Sequence, residues 1–478
     1  MPVTQEPSLL RRRWRQLALL ACLPILACRS GTGTGPADGG DGAAGPTPPS
    51  KVVLIVVDTL RPDHLGCYGY ERDTSPNIDR FASGALRFES CRAHAPETRF
   101  SVASLLTGFL PHETGVLQHA TLPEAVATLP ELLAPHGFHT AAVISNYVLR
   151  AGKGYDQGFA LYDDTMEERE LVRRWPERVA AKTTDRAIEI LSEHRDERLF
   201  LWVVYQDPHG PYAPPEPYAD RYDDPSRPDQ QVRRNTTLSG RRGIPSYQQL
   251  GDSSDYHHYV ARYDAEIRYL DDHFQRLLDA IDELGIDHDT LLILTSDHGE
   301  GMGEHNYYFA HGEVLYGHQL RVPLLLRHGE RLRGVRTDPA QHLDIVPTVL
   351  GALGLPAAEH LRGRDLLADG AAAAAARASY AEMSSPLVRN GVRQSLVHDG
   401  WKLIHTERTG RCQLYDLGAD PGEEHDLGRD PAQQQRLDDL KARLHRLRDE
   451  DLLQVDAAEA APLSDDERDK LESLGYVR

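Results

Sequence analysis

The sequence is poor in cysteine and carries no excess of basic charge: of 478 residues only 5 are cysteine, and 53 Lys and Arg stand against 73 Asp and Glu, a formal charge of −20. That acidic balance excludes nucleic acid as the main partner, because a phosphate backbone demands a basic face. An anionic substrate must then be drawn by a local cationic site or a metal, not by the overall field. Also missing is any apolar run of about 20 residues, the length a bilayer crossing needs, which excludes a polytopic membrane protein. With hydrophobic residues at 40% and charged residues at 26%, the composition excludes a collagen-like fibre and a wholly disordered chain. What remains is a soluble, acidic body, long enough for one large α/β domain with a smaller appendage.

The first fifty residues read as export rather than fold. Arg11, Arg12, Arg13 and Arg15 precede an apolar run at 17–27, too short to span a bilayer but suited to a signal peptide. The run ends Ile25-Leu26-Ala27-Cys28, which resembles a bacterial lipobox; an ordinary cleaved signal is the alternative. Residues 1–28 are thus expected to be a lipoprotein-type signal peptide. Residues 29–50, rich in Gly, Pro, Ala, Thr and Asp, are expected to be a flexible linker. The expected location is the bacterial cell envelope, periplasmic or surface-facing, with the membrane touched through the lipid anchor only. Cys67, Cys91 and Cys412 remain in the body, an odd number without CxxC spacing. They suit small buried hydrophobes better than a disulfide framework or a zinc cluster, with one disulfide as the alternative.

Along the body, apolar runs alternate with helical periodicity. Residues 51–57 form a nearly continuous β-branched run, as in a strand buried on both faces of a parallel sheet. Similar runs lie at 140–144, 199–205, 290–295 and 322–326, with helical patterns at 179–191 and 259–284. The alternation predicts a mainly parallel sheet flanked by helices. Ligands in such sheets bind beyond the carboxyl ends of the strands.

Three of those ends carry chemistry-bearing residues: Asp58, the pair Asp297-His298 before Gly299, and Asp207-Pro208-His209. Carboxylates and an imidazole at converging strand ends make a ligand set for a divalent cation, although a single Asp there can equally cap a helix or a turn. A buried Asp297 would need a counter-charge. Residues 95–108 then read as a loop running into a short apolar helix stopped by Gly108. Thr98 at its head is either an N-cap or a nucleophile lying where the helix end favours negative charge.

Taken in order, the motifs resemble the sulfatase family of the alkaline phosphatase superfamily. They are Val56-Val57-Asp58-Thr59-Leu60-Arg61, Ser104-Leu105-Leu106-Thr107-Gly108 with Leu110-Pro111-His112, Asp207-Pro208-His209-Gly210-Pro211-Tyr212, Ser296-Asp297-His298-Gly299-Glu300 and Leu320-Arg321-Val322-Pro323-Leu324. Leu414-Tyr415-Asp416-Leu417 and Asp420-Pro421-Gly422-Glu423 complete the set. The resemblance implies an alkaline-phosphatase-like sandwich with a large, mainly parallel sheet and a small C-terminal α+β subdomain, divided as 51–370 and 371–478. It implies one divalent ion (Ca, Mn or Zn) held by Asp58, Asp297, His298 and Thr98. It also implies a catalytic role for His209 at the leaving group and for His311 at the substrate anion.

The chain departs from sulfatases that oxidise a Cys or Ser to formylglycine within Cys-x-Pro-x-Arg: Thr98, Phe100 and Val102 stand in place of the Cys, Pro and Arg, and Thr59 replaces a second Asp. An unmodified threonine is similar to the superfamily's lipoteichoic acid synthases and phosphoethanolamine transferases. The expected activity is metal-dependent hydrolysis of sulfate or phosphate/phosphonate esters, on a small-molecule or glycan substrate, through a covalent Thr98 intermediate. The alternatives are a phosphoryl-group transferase acting on envelope lipids or polymers, and a non-catalytic glycan-binding lipoprotein. For His209 the plain reading is a turn histidine satisfied by backbone, and for His311 a surface loop. Arg61 and Arg99 read as solvated charges or surface salt bridges. Residues 214–258 form a long insertion, expected as a substrate lid. Strand signals at 379–383 and 394–405 predict a small antiparallel sheet, beyond an alanine run at 371–376. The tail at 471–478 is expected to pack on the domain.

Overall fold

The computed structural model describes residues 47–116, 121–358, 361–368, 377–384 and 391–450. The signal segment, most of the linker, the alanine run and the 471–478 tail lie outside them.

Strand β1 (Lys51–Val57) is buried along its whole length. Its alternate side chains point to opposite faces. Val52, Leu54 and Val56 join one core and Val53, Ile55 and Val57 another. This two-sided burial is why the run is apolar without alternation.

The rest of the main body comprises α1 (Pro76–Ser83), β2 (Leu86–Phe88), β3 (Cys91–Arg92), α2 (Thr98–Thr107), β4 (His139–Ile144), β5 (Leu161–Asp163), α3 (Ala180–Glu193) and β6 (Leu199–Tyr205). It continues with α4 (Tyr256–Glu283), β7 (Thr290–Ser296), β8 (Arg321–Val322), β9 (Leu324–His328), β10 (Gly334–Arg336), β11 (Ala340–Gln341) and α5 (Ile345–Ala352). The large sheet has eight strands in the order β10-β2-β9-β7-β1-β6-β4-β5. All share one direction except β9, which is antiparallel to both neighbours. Side chains from α2 and α5 pack in the first core, those of α1, α3 and α4 in the second.

Two boundaries differ from expectation. The run at 322–326 is broken by Pro323, which cannot donate to a ladder: Arg321–Val322 pairs with Cys91–Arg92 in a separate three-stranded sheet, while Leu324–His328 enters the large one. Its antiparallel direction follows from the connection after β7, which carries the short 3-10 turn Glu304–Asn306 and the one-turn helix Gly317–Leu320 but no long crossover helix. The helix expected at 259–284 begins earlier, at Tyr256, because Asp255 accepts from the amides of His257 and His258 and caps it.

The C-terminal part is an antiparallel meander of β12 (Ser379–Met383), β13 (Arg393–His398), β14 (Trp401–Thr406) and β15 (Arg411–Asp416). The strand signals at 394–405 resolve into the two strands of a hairpin, β13 and β14. Helix α6 (Gln434–Asp449) presses Leu437, Leu440 and Leu444 onto Leu396, Leu403 and Leu414, in a core that also takes Leu110 and Leu343 from the main body. The three cysteines of the body are free; Cys91 is buried, while Cys67 and Cys412 are half-buried.

Candidate metal and nucleophile site

Sheet register brings the first carboxylates together. Val57 on β1 lies opposite Ser296 on β7, so the residues that follow, Asp58 and Asp297, leave adjacent strands at the same end. Thr59 then turns with φ of 58°, a left-handed conformation costly for a β-branched residue. That turn aims the Thr59 amide at Asp297 Oδ1 (3.2 Å), which also accepts from the His298 amide (2.8 Å). Asp58 Oδ2 accepts from Asn146 Nδ2. The remaining oxygens, Asp58 Oδ1 and Asp297 Oδ2, are buried and have no donor.

His298 supplies the third group. Its Nδ1 lies 2.9 Å from the Gly299 carbonyl and donates to it, which leaves the Nε2 lone pair facing inward. Nε2 is 3.5 Å from Asp297 Oδ2, 4.0 Å from Asp58 Oδ1 and 3.3 Å from Thr98 Oγ1. One ligand atom from each of Asp58, Asp297 and His298 lies within 4.8 Å of the other two. Burial, with Asp297 alongside, holds the Asp58 carboxyl well above its ordinary range, and burial holds the His298 imidazole below its own. Two orphaned carboxylate oxygens and an unprotonated ring nitrogen, all desolvated, fit a divalent cation: the oxygens suit Ca or Mn, and the imidazole suits Zn or Mn.

Thr98 opens α2 but does not cap it. Glu97 is the N-cap residue, without a side-chain cap bond, and the Thr98 hydroxyl turns instead to His298. One helical turn on, Ser101 Oγ donates to the Asp297 carbonyl (2.5 Å) and lies 3.2 Å from His342 Nδ1, which ties the helix to the end of β7. Arg99 is not solvated: its Nε donates to Glu97 Oε1 at 2.8 Å, and its carbonyl accepts from the Tyr155 hydroxyl.

The two remaining histidines line up beside the pair. The His311 ring is 4.5 Å from that of His298 and 5.1 Å from that of His209. The His311 side chain is only 7% exposed, with Nδ1 3.4 Å from the buried Glu300 carboxylate, so it does not sit in a surface loop. His209 Nδ1 is buried without a hydrogen-bond partner. Burial, then His311, Arg173 and His298, hold its imidazole well below the usual range. Arg61 is buried as well, donating to the Glu300 carbonyl (3.0 Å) and pairing with Asp63 and Glu304.

Four residues of this neighbourhood escaped the sequence reading: Asn146, Ser101, Glu300 and Arg173. Asn146 follows β4 and was open to the strand-end rule. Ser101 lies one helical turn from Thr98, and Glu300 ends a quoted motif. Arg173 left no signal. It reaches the Gly210 carbonyl (3.0 Å) from between the short strands Glu168–Arg169 and Pro176–Glu177, and its charge acts on Asp58 and His209. The insertion at 214–258 packs on the segment carrying His311. The Tyr308 amide donates to the Gly240 carbonyl (2.9 Å), Arg241 pairs with Glu313 (2.9 Å), and the Tyr247 hydroxyl donates to the Phe309 carbonyl (3.3 Å).

With this geometry in view, comparison with known proteins is informative. The sulfatase family profile matches residues 50–355, and that of the N-sulphoglucosamine sulphohydrolase C-terminal region matches 303–450. An N-acetylglucosamine-6-O-sulfatase of Bacteroides thetaiotaomicron is 24% identical over 459 residues, covering 78% of this chain and 81% of that protein. The solved structure of BT4656 in complex with its substrate D-glucosamine-2-N,6-O-disulfate aligns over 86% of this chain and all of the other, with a TM-score of 0.69 and 19% identity. The phosphonate monoester hydrolase of Agrobacterium radiobacter aligns over 87% of this chain and 99% of its own, with a TM-score of 0.66 and 21% identity. At these identities both structural likenesses speak for the fold.

Proposed function

The chain belongs to the sulfatase family, and on that footing we propose that it is a metal-dependent sulfuric ester hydrolase whose nucleophile is the unmodified hydroxyl of Thr98. The observation that carries this reading is the placement of Thr98 Oγ1 3.3 Å from His298 Nε2, beside two buried carboxylate oxygens that no donor satisfies. Asp58, Asp297 and His298 would hold the ion, with Thr98 beside it. The ion's chemistry is to lower the pKa of a nearby hydroxyl and to neutralise charge on the ester's oxygens.

The chain's own residues account for the rest. Thr98 Oγ1 would release its proton to solvent and form a bond to sulfur as the bond to the alcohol oxygen breaks, while His209, protonated once the anionic ester is bound, would give that oxygen its proton. His209 is neutral by its surroundings; an anion between it, His311 and Arg173 raises its proton affinity. Water then attacks sulfur, releasing inorganic sulfate and restoring the Thr98 hydroxyl. His311, steadied by Glu300, faces the non-bridging oxygens. A sulfated glycan suits the site as substrate, given what the relatives act on.

A second reading, hydrolysis of phosphate or phosphonate esters, draws on Thr98 itself. A threonine sulfate has no hemiacetal from which to expel sulfate, whereas a phosphothreonine is discharged by attack at phosphorus. The likeness to a phosphonate monoester hydrolase accords with this. Export on a lipid anchor, read from residues 1–28, is part of the proposal.

The test is a panel of nitrophenyl sulfate, phosphate and phosphonate esters with Ca, Mn or Zn supplied. We expect turnover of the sulfate ester that Thr98→Ala abolishes and that mass spectrometry traces to an unoxidised Thr98. Turnover of the phosphorus esters alone selects the second reading. If every ester is inert while metal binds, a non-catalytic glycan-binding role takes over.

A further inference from the structure

On the small three-stranded sheet, Arg321 of β8 lies directly opposite Arg92 of β3. Like charges in register across strands are destabilising, and here Arg92 is half-buried and Arg321 exposed. Burial and the charge of Arg321 hold the Arg92 guanidinium below its usual range. Both arginines line a cavity of about 130 Å³ together with Lys402, Glu423, Ser379 and Ser395. Among the described residues Glu423 is the only carboxylate of that lining, and both its oxygens are taken by Lys402 Nζ at 2.8 Å. Among the described residues neither Arg92 nor Arg321 makes an ion pair; the Arg92 side chain reaches only Ser90 Oγ, at 3.3 Å. Asp63, whose charge Arg321 also feels, is held by Arg61.

Among the described residues three cations line the cavity against one carboxylate, and neither arginine is offset by an ion pair, so the lining presents net positive charge to an incoming anion. Hydroxyls complete the wall. Ser379 on β12 and Lys402 on β14 both lie opposite Val397 of β13, and Ser395, two residues before Val397, lies opposite Ala381. The Ser395 hydroxyl makes no side-chain hydrogen bond among the described residues. Guanidinium forks and hydroxyls are the donors that tetrahedral oxyanions take. The cavity also lies at the catalytic end of the sheet. Leu324 of β9 is in register with Thr295 of β7, and the Gln319 carbonyl accepts from the Gly299 amide at 2.9 Å.

We propose that the cavity between Arg92, Arg321, Lys402, Ser379 and Ser395 is a second anion site, separate from the metal centre, that takes a sulfate or phosphate group, free or borne on a larger ligand. Calorimetric titration of the full chain with inorganic sulfate tests it, in wild type, Arg92→Gln, Arg321→Gln and Thr98→Ala. The expected result is a sulfate site that each arginine substitution weakens by about tenfold, the effect of losing one charge-assisted hydrogen bond, and that Thr98→Ala leaves intact. Arg321 is exposed, so its variant decides the matter if Arg92→Gln fails to fold. The inference is overturned if sulfate does not bind, if Arg321→Gln titrates as wild type, or if all sulfate binding disappears with Thr98→Ala. Titration with glucosamine 2-N,6-O-disulfate separates the two sources: weakened binding of this ligand in Arg321→Gln points to a substituent, and weakened binding of sulfate alone points to a free ion. No turnover is required, so an inert enzyme leaves the result standing.

Discussion

Asn146 donates to one oxygen of Asp58 and thereby determines which oxygen is left to face His298. Groups that orient metal ligands from behind commonly control affinity about 10–100-fold. Asn146→Ala is therefore expected to weaken divalent metal binding by that factor, measured by titration, while the fold persists; unchanged affinity would show that Asp58 is oriented by something else. His209 carries a different expectation. A nitrophenolate leaves without a proton, but an alkoxide does not. His209→Ala should thus cost about 10²–10⁴-fold on a sugar sulfate and far less on nitrophenyl sulfate. Equal losses on both esters would assign His209 to anion binding instead. At this scale the sequence was legible wherever a strand stopped at a ligand type: Asp58, Asp297, His298 and His209 all stood at strand ends. It was not legible for Arg61 and Arg99, since burial of a guanidinium is decided by what packs on it from distant segments.

Elements show the same division. The helix at 98–107 was foreseen from its apolar content and its Gly108 stop, and Gly108 indeed closes it at φ of 76°. The break at Pro323 was in view too, but the continuous apolar run Val322-Pro323-Leu324-Leu325-Leu326 hid it. The ribbon formed by Glu168–Arg169 and Pro176–Glu177 gave no periodic signal at all. It holds Glu177, whose carboxyl is pushed up to about 8 by burial, then by Glu170 and Asp207. A carboxyl whose pKa is raised on folding supports the fold while protonated, and that support is lost as pH rises through the folded value. The loss runs from about pH 4.5 to about pH 8, between the ordinary and the folded values. Glu177→Gln should accordingly raise the melting temperature at pH 8.5 and leave it unchanged at pH 4. An equal shift at both pH values would mean that the side chain acts by packing rather than by charge.

For the whole molecule, the central expectation concerns the ion. Folding brings Asp58 and Asp297 together from far apart in the sequence, at the cost of two desolvated carboxyls. A cation that binds only the folded chain should stabilise it by about 2.7 kcal/mol at a hundredfold excess over Kd. Calorimetric melting with and without Ca, Mn or Zn should show an upward shift that a chelator reverses and Asp297→Asn removes. A melting temperature indifferent to all three ions would sink the metal reading, and with it the assignment of Thr98.

The sequence alone determined the α/β architecture, because strands buried on both faces must be apolar throughout and helices that cover them must be amphipathic. It also determined the ligand types waiting at the strand ends, since a parallel sheet delivers its chemistry there. Only the tertiary structure decided that Val57 and Ser296 share a register, that Thr98 turns to His298 instead of capping its helix, and that Arg92 meets Arg321 across two short strands. Those are contacts between segments far apart in the chain, and their geometry depends on packing that no local pattern encodes.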